Sequence, residues 1–206
     1  MIVGVLAFQG DFSEHIDVLR TLDAETMEVR SLDDLAQVDL LIIPGGESTV
    51  IARFLQETGV GKQIVARVRG EHGAKPLSVF GTCAGAIVLA KEATGKNAPD
   101  TLSLIDITVD RNAYGTQVDS FEAELRVKGF LKPVNVSFIR APKITRIGKD
   151  VVVLSSYKGM PVLVRQGRVM VATFHSEVRG AQEIHSAFLR MIPENEHKAS
   201  YLPPKR

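Results

Sequence analysis

Pro76 to Ala93 reads PLSVFGTCAGAIVLAKEA. A short apolar run, Leu77 to Phe80, stops at Gly81. The only cysteine of the chain follows at Cys83, and Gly85 opens an amphipathic, helix-like run. The pattern predicts a strand, a tight turn and a helix. A thiol on such a turn sits at a helix N-terminus, where unpaired backbone N–H groups and the helix dipole favour the thiolate. The nucleophile elbow of serine hydrolases has the same geometry, here with sulfur and with a glycine two positions to either side. A plainer reading competes, because free cysteine is often buried as a small hydrophobe. The flanking glycines favour the elbow, since they permit a sharper turn than a packing cysteine needs. On this stretch alone both readings stand.

Upstream, Ile2 to Phe8 is a nearly unbroken apolar run suited to a strand covered on both faces, and Gln9 and Gly10 end it. In DFSEHIDVLRTL, Phe12, Ile16 and Leu19 recur at helical intervals. An extended segment near Thr26 to Arg30 precedes a second buried-strand pattern, Asp39 to Ile43, closed by PGGEST at Pro44 to Thr49. Val50 to Glu57 and Gln63 to Arg69 then read as helix. Strand, turn and helix recur three times before Thr94, which predicts a parallel sheet with helices on both faces. Beyond Thr94 come strand candidates at Ile105 to Val109, Phe121 to Val127, Val134 to Ile139, Val151 to Ser156, Met160 to Arg165 and Val169 to Phe174. They are expected to add an antiparallel extension to the core. The result is one mixed, mostly parallel sheet in a single domain over residues 1–206, because no flexible boundary separates the halves. Ala181 to Ile192 reads as a last amphipathic helix, and the polar, proline-bearing residues 194–206 as a flexible tail.

Composition narrows the function. The 206 residues carry a formal charge of +1, which offers no basic footprint for nucleic acid or an anionic membrane, so a small neutral or zwitterionic substrate is the natural partner. One cysteine excludes an intrachain disulfide framework and a multi-cysteine metal site. The opening MIVGVLAFQG lacks a basic n-region and cleavage site, and the apolar runs fall short of a membrane span. A cytoplasmic location is the expectation.

A thiol nucleophile needs a base within hydrogen-bond reach and a group to orient that base. Of the five histidines, His15 and His185 fall inside predicted helices, and His72 and His197 in polar loop or tail sequence, which are usual surface or packing positions. His175 follows the apolar run Val169 to Phe174. It therefore emerges at the C-terminal edge of a buried strand, the edge at which Cys83 also lies if the two strands are parallel. Glu177 stands two residues on, and i and i+2 side chains of an extended segment share a side, so its carboxylate can hold one ring nitrogen. Cys83, His175 and Glu177 make a candidate triad; His175 and Glu177 as mere polar residues leaving a strand is the alternative. PGGEST offers backbone donors. The Gly46 N–H and that of Ala84, just after the nucleophile, could hold an oxyanion. The competing role for PGGEST is a tight strand-to-helix turn with Ser48 or Thr49 as N-cap.

Taken together, AFQG (Ala7 to Gly10), PGGEST, FGTCAG (Phe80 to Gly85), RNAYGTQVDSFE (Arg111 to Glu122), FIRAP (Phe138 to Pro142) and FHSE (Phe174 to Glu177) span nearly the whole chain. The sequence thereby resembles the glutaminase subunit of the two-protein pyridoxal 5′-phosphate synthase, within the triad (class I) glutamine amidotransferases. GTCAG with a downstream HxE marks the superfamily, and RNAYGTQVDSFE with FIRAP narrows it to this subunit. The resemblance implies a flavodoxin-like, three-layer α/β fold that hydrolyses L-glutamine to glutamate and ammonia. The ammonia would pass to a TIM-barrel-type synthase subunit in a hetero-oligomeric complex, with no cofactor and no metal in the glutaminase itself. By position it implies Cys83 as nucleophile, His175 as base and then acid, and Glu177 as orienter. It further places Gly45, Gly46, Glu47, Arg111, Ile139 and Arg140 on the glutamine, and Gln9 and Gly10 near the oxyanion turn and the partner face. Arginine suits this task because its planar fork pairs with a carboxylate, although a structural ion pair is the alternative for each.

Two positions depart from the family pattern: Ser176 stands where proline is usual, and Asp11 where small or apolar residues are common. Two other functions compete. A glutaminase of histidine biosynthesis would share the elbow but lack RNAYGTQVDSFE with FIRAP, and a non-enzymatic binding domain would not need all of Cys83, His175 and Glu177.

Overall fold

The computed structural model describes residues 1–111, 120–178 and 181–192. Most of the RNAYGTQVDSFE motif, His197 and the expected tail over 194–206 lie outside the described residues. In chain order the elements are β1 (Ile2–Leu6), α1 (Phe12–Thr21), β2 (Glu25–Val29), α2 (Leu32–Gln37), β3 (Leu40–Ile43), α3 (Ser48–Glu57), α4 (Val60–Arg69), β4 (Ser78–Thr82) and α5 (Ala84–Leu89). They continue with β5 (Ala90–Thr94), β6 (Ile105–Asp110), β7 (Phe121–Leu125), β8 (Val134–Phe138), β9 (Lys143–Ile147), β10 (Val152–Tyr157), β11 (Met160–Gln166), β12 (Val169–Ala172) and α6 (Gln182–Leu189).

A seven-stranded sheet in the order β10-β11-β12-β4-β3-β1-β2 forms the middle layer. Its strands from β12 to β2 are parallel, and β11 and β10 join antiparallel at one edge. The alternation of strand side chains divides the core between two faces. Leu40 and Ile42 of β3 join α1, α6 and the β7–β8 pair through Ile16, Leu19, Phe138, Ile184 and Phe188. Leu41 and Ile43 face the helices of the opposite layer through Leu35, Ile51, Phe54 and Ile64. Strands buried on both faces read as unbroken apolar runs, which is why β1 and β3 are legible in the sequence.

The expected architecture of a mixed, mostly parallel sheet between helical layers is the one found, with three corrections. First, the helix after Cys83 is neither long nor amphipathic. All six residues of α5 are buried, and the chain turns at Ala90 into β5, which pairs with β6. Apart from Thr94, Ala90 to Thr94 contains no strand former, so tertiary pairing overrides local preference here. Second, β6, β7 and β8 do not extend the main sheet. β5, β6 and β9 form a separate three-stranded sheet and β7 with β8 a two-stranded one. β7 packs against the edge strand β10 without joining the main sheet, stacking Phe121 on Phe138 and Tyr157 with ring centroids 4.7 and 5.3 Å apart. A strand with one apolar face is satisfied equally by either arrangement, and strand periodicity does not choose between them. Third, α2 and β9 were not anticipated. A capping signal marks α2: the Ser31 Oγ accepts from the Asp34 N–H at 3.2 Å.

Helix α5 runs very close beneath β3. A side chain at Gly85 would collide with the Ile43 carbonyl oxygen, so glycine here permits the helix to start hard against the sheet. Among the described residues, no helix is long and apolar enough to cross a membrane.

Candidate active site

Cys83 occupies the single residue between β4 and α5, with φ 48° and ψ −103°. A positive φ at a non-glycine residue is a strained state that the surroundings must impose. Here the Cys83 N–H donates to the Ala172 carbonyl at 3.0 Å, tying the elbow to the end of β12. β12 and β4 are parallel with Ala172 opposite Thr82, so the segment after β12 leaves the sheet beside Cys83. This is the juxtaposition the sequence made conditional on parallel strands.

His175 is held on both sides. Its backbone exchanges hydrogen bonds with Ser137 at the end of β8, at 2.8 and 3.3 Å. Its Nδ1 lies 2.6 Å from Glu177 Oε1, with both side chains almost wholly buried. Ser176 between them is fully buried, and its carbonyl accepts from the Ala181 N–H at 3.0 Å. Burial of His175 works to lower its pKa, but the Cys83 sulfur, as thiolate, and the Glu177 carboxylate, by hydrogen bond and charge, outweigh it and raise the value from 6.5 to about 10. The imidazole is therefore a cation at neutral pH. Because the folded pKa lies above the unfolded one, the stability this contributes is complete below about pH 6.5 and is lost as pH rises through about 10. An NMR titration of His175 is expected to show no inflection between pH 6 and 8 in the native protein and a lowered midpoint in Cys83→Ala; a midpoint near 6.5 in both would contradict the pairing.

PGGEST links β3 to α3 and folds against the turn after β1. Gly10 has φ 95°, and a side chain there would overlap the Gly45 carbonyl oxygen; a side chain at Gly46, φ 141°, would crowd the Gln9 amide. The Gln9–Gly10 and Gly45–Gly46 turns are thus interlocked beside His175. The expected cap is Ser48 or Thr49, but the N-cap is Glu47, whose carboxylate accepts from the Val50 N–H at 3.1 Å and from the Thr49 hydroxyl. Arg111 reaches the same carboxylate at 2.7 Å and also donates to the Asn97 carbonyl. Burial tends to raise the Glu47 pKa, yet the Thr49, Val50 and Arg111 hydrogen bonds bring it below its usual value. Of the two open roles for Arg111, the structure contains the ion pair, placed on the wall of the cleft.

Gln9, Gly46, Glu47, Cys83, Ala84, Arg111, Ile139, Arg140 and His175 all line one cleft of about 520 Å³, a size common for small-molecule sites. The Cys83 Sγ lies 3.8 Å from the Ile139 carbonyl, and Arg140 beside it adopts φ 45°. Gly45 abuts the same histidine from behind: a side chain there would meet His175 Cε1 at 2.5 Å. Asp11, Ser48 and Ile87 also line the cleft and were not anticipated. Asp11 sits at the N-cap of α1 but makes no capping bond; its Oδ2 is instead 3.4 Å from His175 Nδ1. An aspartate before a helix reads as a cap, so no sequence signal distinguishes this use. Ligand-type atoms of Asp11, His175 and Glu177 lie within 4.8 Å of one another, a spacing that suits a cation. Two of these atoms, His175 Nδ1 and Glu177 Oε1, already face one another at 2.6 Å.

The family model described as the SNO glutamine amidotransferase family matches residues 5–194. The chain belongs to the SNO glutamine amidotransferase family. It is 46% identical over 193 residues to the pyridoxal 5′-phosphate synthase subunit PdxT of Thermosipho africanus, covering 93% of this chain and 99% of that one. It is also 46% identical over 190 residues to PdxT of Thermus thermophilus, covering 92% and 97%. A crystal structure of a glutamine amidotransferase superposes with a TM-score of 0.86 at 44% identity, covering 93% of this chain and 99% of that one. One chain of PurLQS from Thermotoga maritima, at 16% identity and a TM-score of 0.65, shares the fold, with 93% of this chain and 99% of that one covered. As a member of this family the chain is a glutamine amidotransferase, an enzyme that draws nitrogen from the glutamine amide.

Proposed function

We propose that residues 1–206 act as a single cytoplasmic domain, the glutaminase subunit of a two-protein pyridoxal 5′-phosphate synthase. It hydrolyses L-glutamine to L-glutamate and ammonia and hands the ammonia to a TIM-barrel-type synthase subunit. The observation that carries the reading is the strained Cys83 at a helix N-terminus, in one cleft with a His175 held at 2.6 Å by buried Glu177. The names of the PdxT relatives supply the synthase.

The reaction runs in two steps. The Cys83 thiolate attacks the side-chain amide carbon of glutamine, and the oxyanion is received by the N–H groups of Gly46 and Ala84. The tetrahedral species collapses with cleavage of the C–N bond; His175 gives its proton to the departing nitrogen, which leaves as ammonia. A γ-glutamyl thioester remains. His175, now neutral, takes a proton from water as the oxygen attacks the thioester carbon, and cleavage of the C–S bond releases glutamate and restores the thiolate with imidazolium. Glu177 steadies the imidazolium before the first step and after the second, and orients the neutral ring between them. Glu47, Arg111 and Arg140 form the polar end of the cleft for the zwitterionic part of glutamine, with the Gly45–Gly46 turn and Ile139 along its length. The steps call on no metal or organic cofactor.

The interlocked Gln9–Gly10 and Gly45–Gly46 turns give a partner a handle on the oxyanion donor. The lone chain is expected to be nearly silent, and adding the synthase subunit should raise glutaminase turnover on the order of a hundredfold, the worth of one oxyanion donor. A glutamate-release assay with and without the synthase subunit measures this. Equal rates would remove the gating. A glutamine-analogue electrophile that fails to label Cys83 even in the complex would remove the enzyme reading.

A further inference from the structure

Among the described residues the triad leaves two buried histidines without a task. His15 of α1 and His185 of α6 are both fully buried, and their rings meet with His15 Nδ1 2.9 Å from His185 Nε2. The other nitrogen of His15, Nε2, faces Thr82 Oγ1 at 3.1 Å and Glu177 Oε2 at 3.4 Å. Thr82 directly precedes Cys83, and Glu177 Oε1 is the atom bonded to His175. His15 therefore touches both ends of the catalytic arrangement from behind. Packing alone would not ask for histidine here, since the Phe80 ring shows that this layer accepts apolar aromatics, 6.5 Å from the His15 ring.

Glu177 Oε2 is buried and has no hydrogen-bond partner within normal reach among the described residues. A buried carboxylate oxygen without a donor is costly, and the N–H able to approach it is the one on His15 Nε2. Burial first, and then the charges of His185 and His175, hold the His15 pKa well below 6.5, while burial takes His185 to about 4 despite the upward pull of the Ala181 carbonyl. Both rings are thus neutral near pH 7, and each carries one N–H. Two proton arrangements are then available. With the proton on His15 Nε2, that N–H donates to Thr82 Oγ1 with Glu177 Oε2 beside it at 3.4 Å, Nδ1 accepts from His185 Nε2–H, and His185 Nδ1 is a bare acceptor. The reverse arrangement turns His185 Nδ1–H toward the Ala181 carbonyl and sets a His15 lone pair against the buried carboxylate. The first leaves the His185 Nδ1 lone pair facing the Ala181 carbonyl dipole, the second leaves a His15 lone pair facing a full carboxylate charge, and the larger repulsion selects the first.

We propose that His15 is a positioning residue of the glutaminase site: its Nε2–H holds Glu177 Oε2 and so aims Oε1 at His175, while His185 fixes the His15 tautomer from the far side. The proposal rests on the reading of Cys83, His175 and Glu177 as the triad. It extends the line of side chains that starts at the nucleophile to five residues, drawn from the β4–α5 elbow, the segment after β12, α1 and α6, without adding a group that touches glutamine.

Two measurements test it. Long-range ¹H–¹⁵N NMR of the native chain near pH 7 reads ring tautomers and needs no turnover. His15 is expected protonated at Nε2 with Nδ1 bare, and the reverse tautomer, or a doubly protonated ring, overturns the proposal. In the complex with the synthase subunit, His15→Phe is expected to lower kcat about ten- to hundredfold, the loss of one buried hydrogen bond to a charge, with KM within about twofold. His15→Gln, whose amide N–H₂ falls where Nε2–H was, is expected to recover kcat to within about threefold. A folded His15→Phe with native kcat, or Gln and Phe variants equally slow, overturns it. Should His15→Phe not fold, the tautomer and the Gln variant still decide. Absence of glutamine hydrolysis by the native complex would instead sink the triad reading and leave the tautomer result intact.

Discussion

Cys83→Ala is expected to abolish glutamine hydrolysis by the complex with the synthase subunit, lowering kcat by about 10⁴-fold or more. The sulfur is the one atom in the cleft that can form the thioester, since the chain has no second cysteine. Ser48, the nearest thing to a substitute on the cleft wall, is a neutral hydroxyl that lies in the first turn of α3 and is 2% exposed. Any residual rate would come from glutamine held against the oxyanion donors while water attacks, which is the small remainder seen when a nucleophile is removed from such sites. Alanine adopts the φ of 48° no more readily than cysteine does, and the side chain lost is small, so the melting temperature should move by only a few degrees. Glutamate release and a thermal melt on the same sample separate the two effects. A folded variant that keeps more than about 1% of native turnover would show that Cys83 is not the nucleophile.

Glu177→Gln should be nearly as damaging, at about 10² to 10⁴ in kcat, though no reacting atom is touched. The carboxylate lies 2.6 Å from His175 Nδ1 and is among the groups that lift the His175 pKa to about 10. An amide in its place removes the charge that supports the imidazolium, and its N–H₂ can present a donor where an acceptor is required, forcing the wrong tautomer. Binding groups at the polar end of the cleft are unaffected, so KM should change far less than kcat. The His175 titration midpoint should fall with the same substitution. Native kcat in Glu177→Gln, or an unmoved midpoint, would leave the orienting role unsupported.

How much of this was legible in the chain depended on the range over which the cause acts. The elbow was readable because it is local: a strained turn between a strand and a helix needs glycine at its flanks, and Gly81 and Gly85 stand there. The His175–Glu177 pair was readable for the same reason, because two positions along an extended segment face one way. The alternation of apolar runs with helical periods foretold the parallel layer, since strands covered on both faces carry apolar residues at every position. By contrast, α5 ends after six residues because Ala90 to Thr94 pairs with β6, a partner that local preference does not encode. Glu47 falls on the turn that the resemblance assigns to glutamine, and nothing local foretold that it also caps α3 and pairs with Arg111, 64 positions away.

The amino-acid sequence by itself determined the nucleophile, its base and orienter as candidates, the α/β class and the family resemblance, all carried by short stretches whose residues act on their immediate neighbours. Only the tertiary structure decided which strands share the main sheet, that the Gln9–Gly10 and Gly45–Gly46 turns interlock, and that His15, on a helix where a histidine reads as packing, stands behind Glu177. Those facts follow from strand order and helix docking, which bring residues together across the chain and leave no periodic mark on the segments they join.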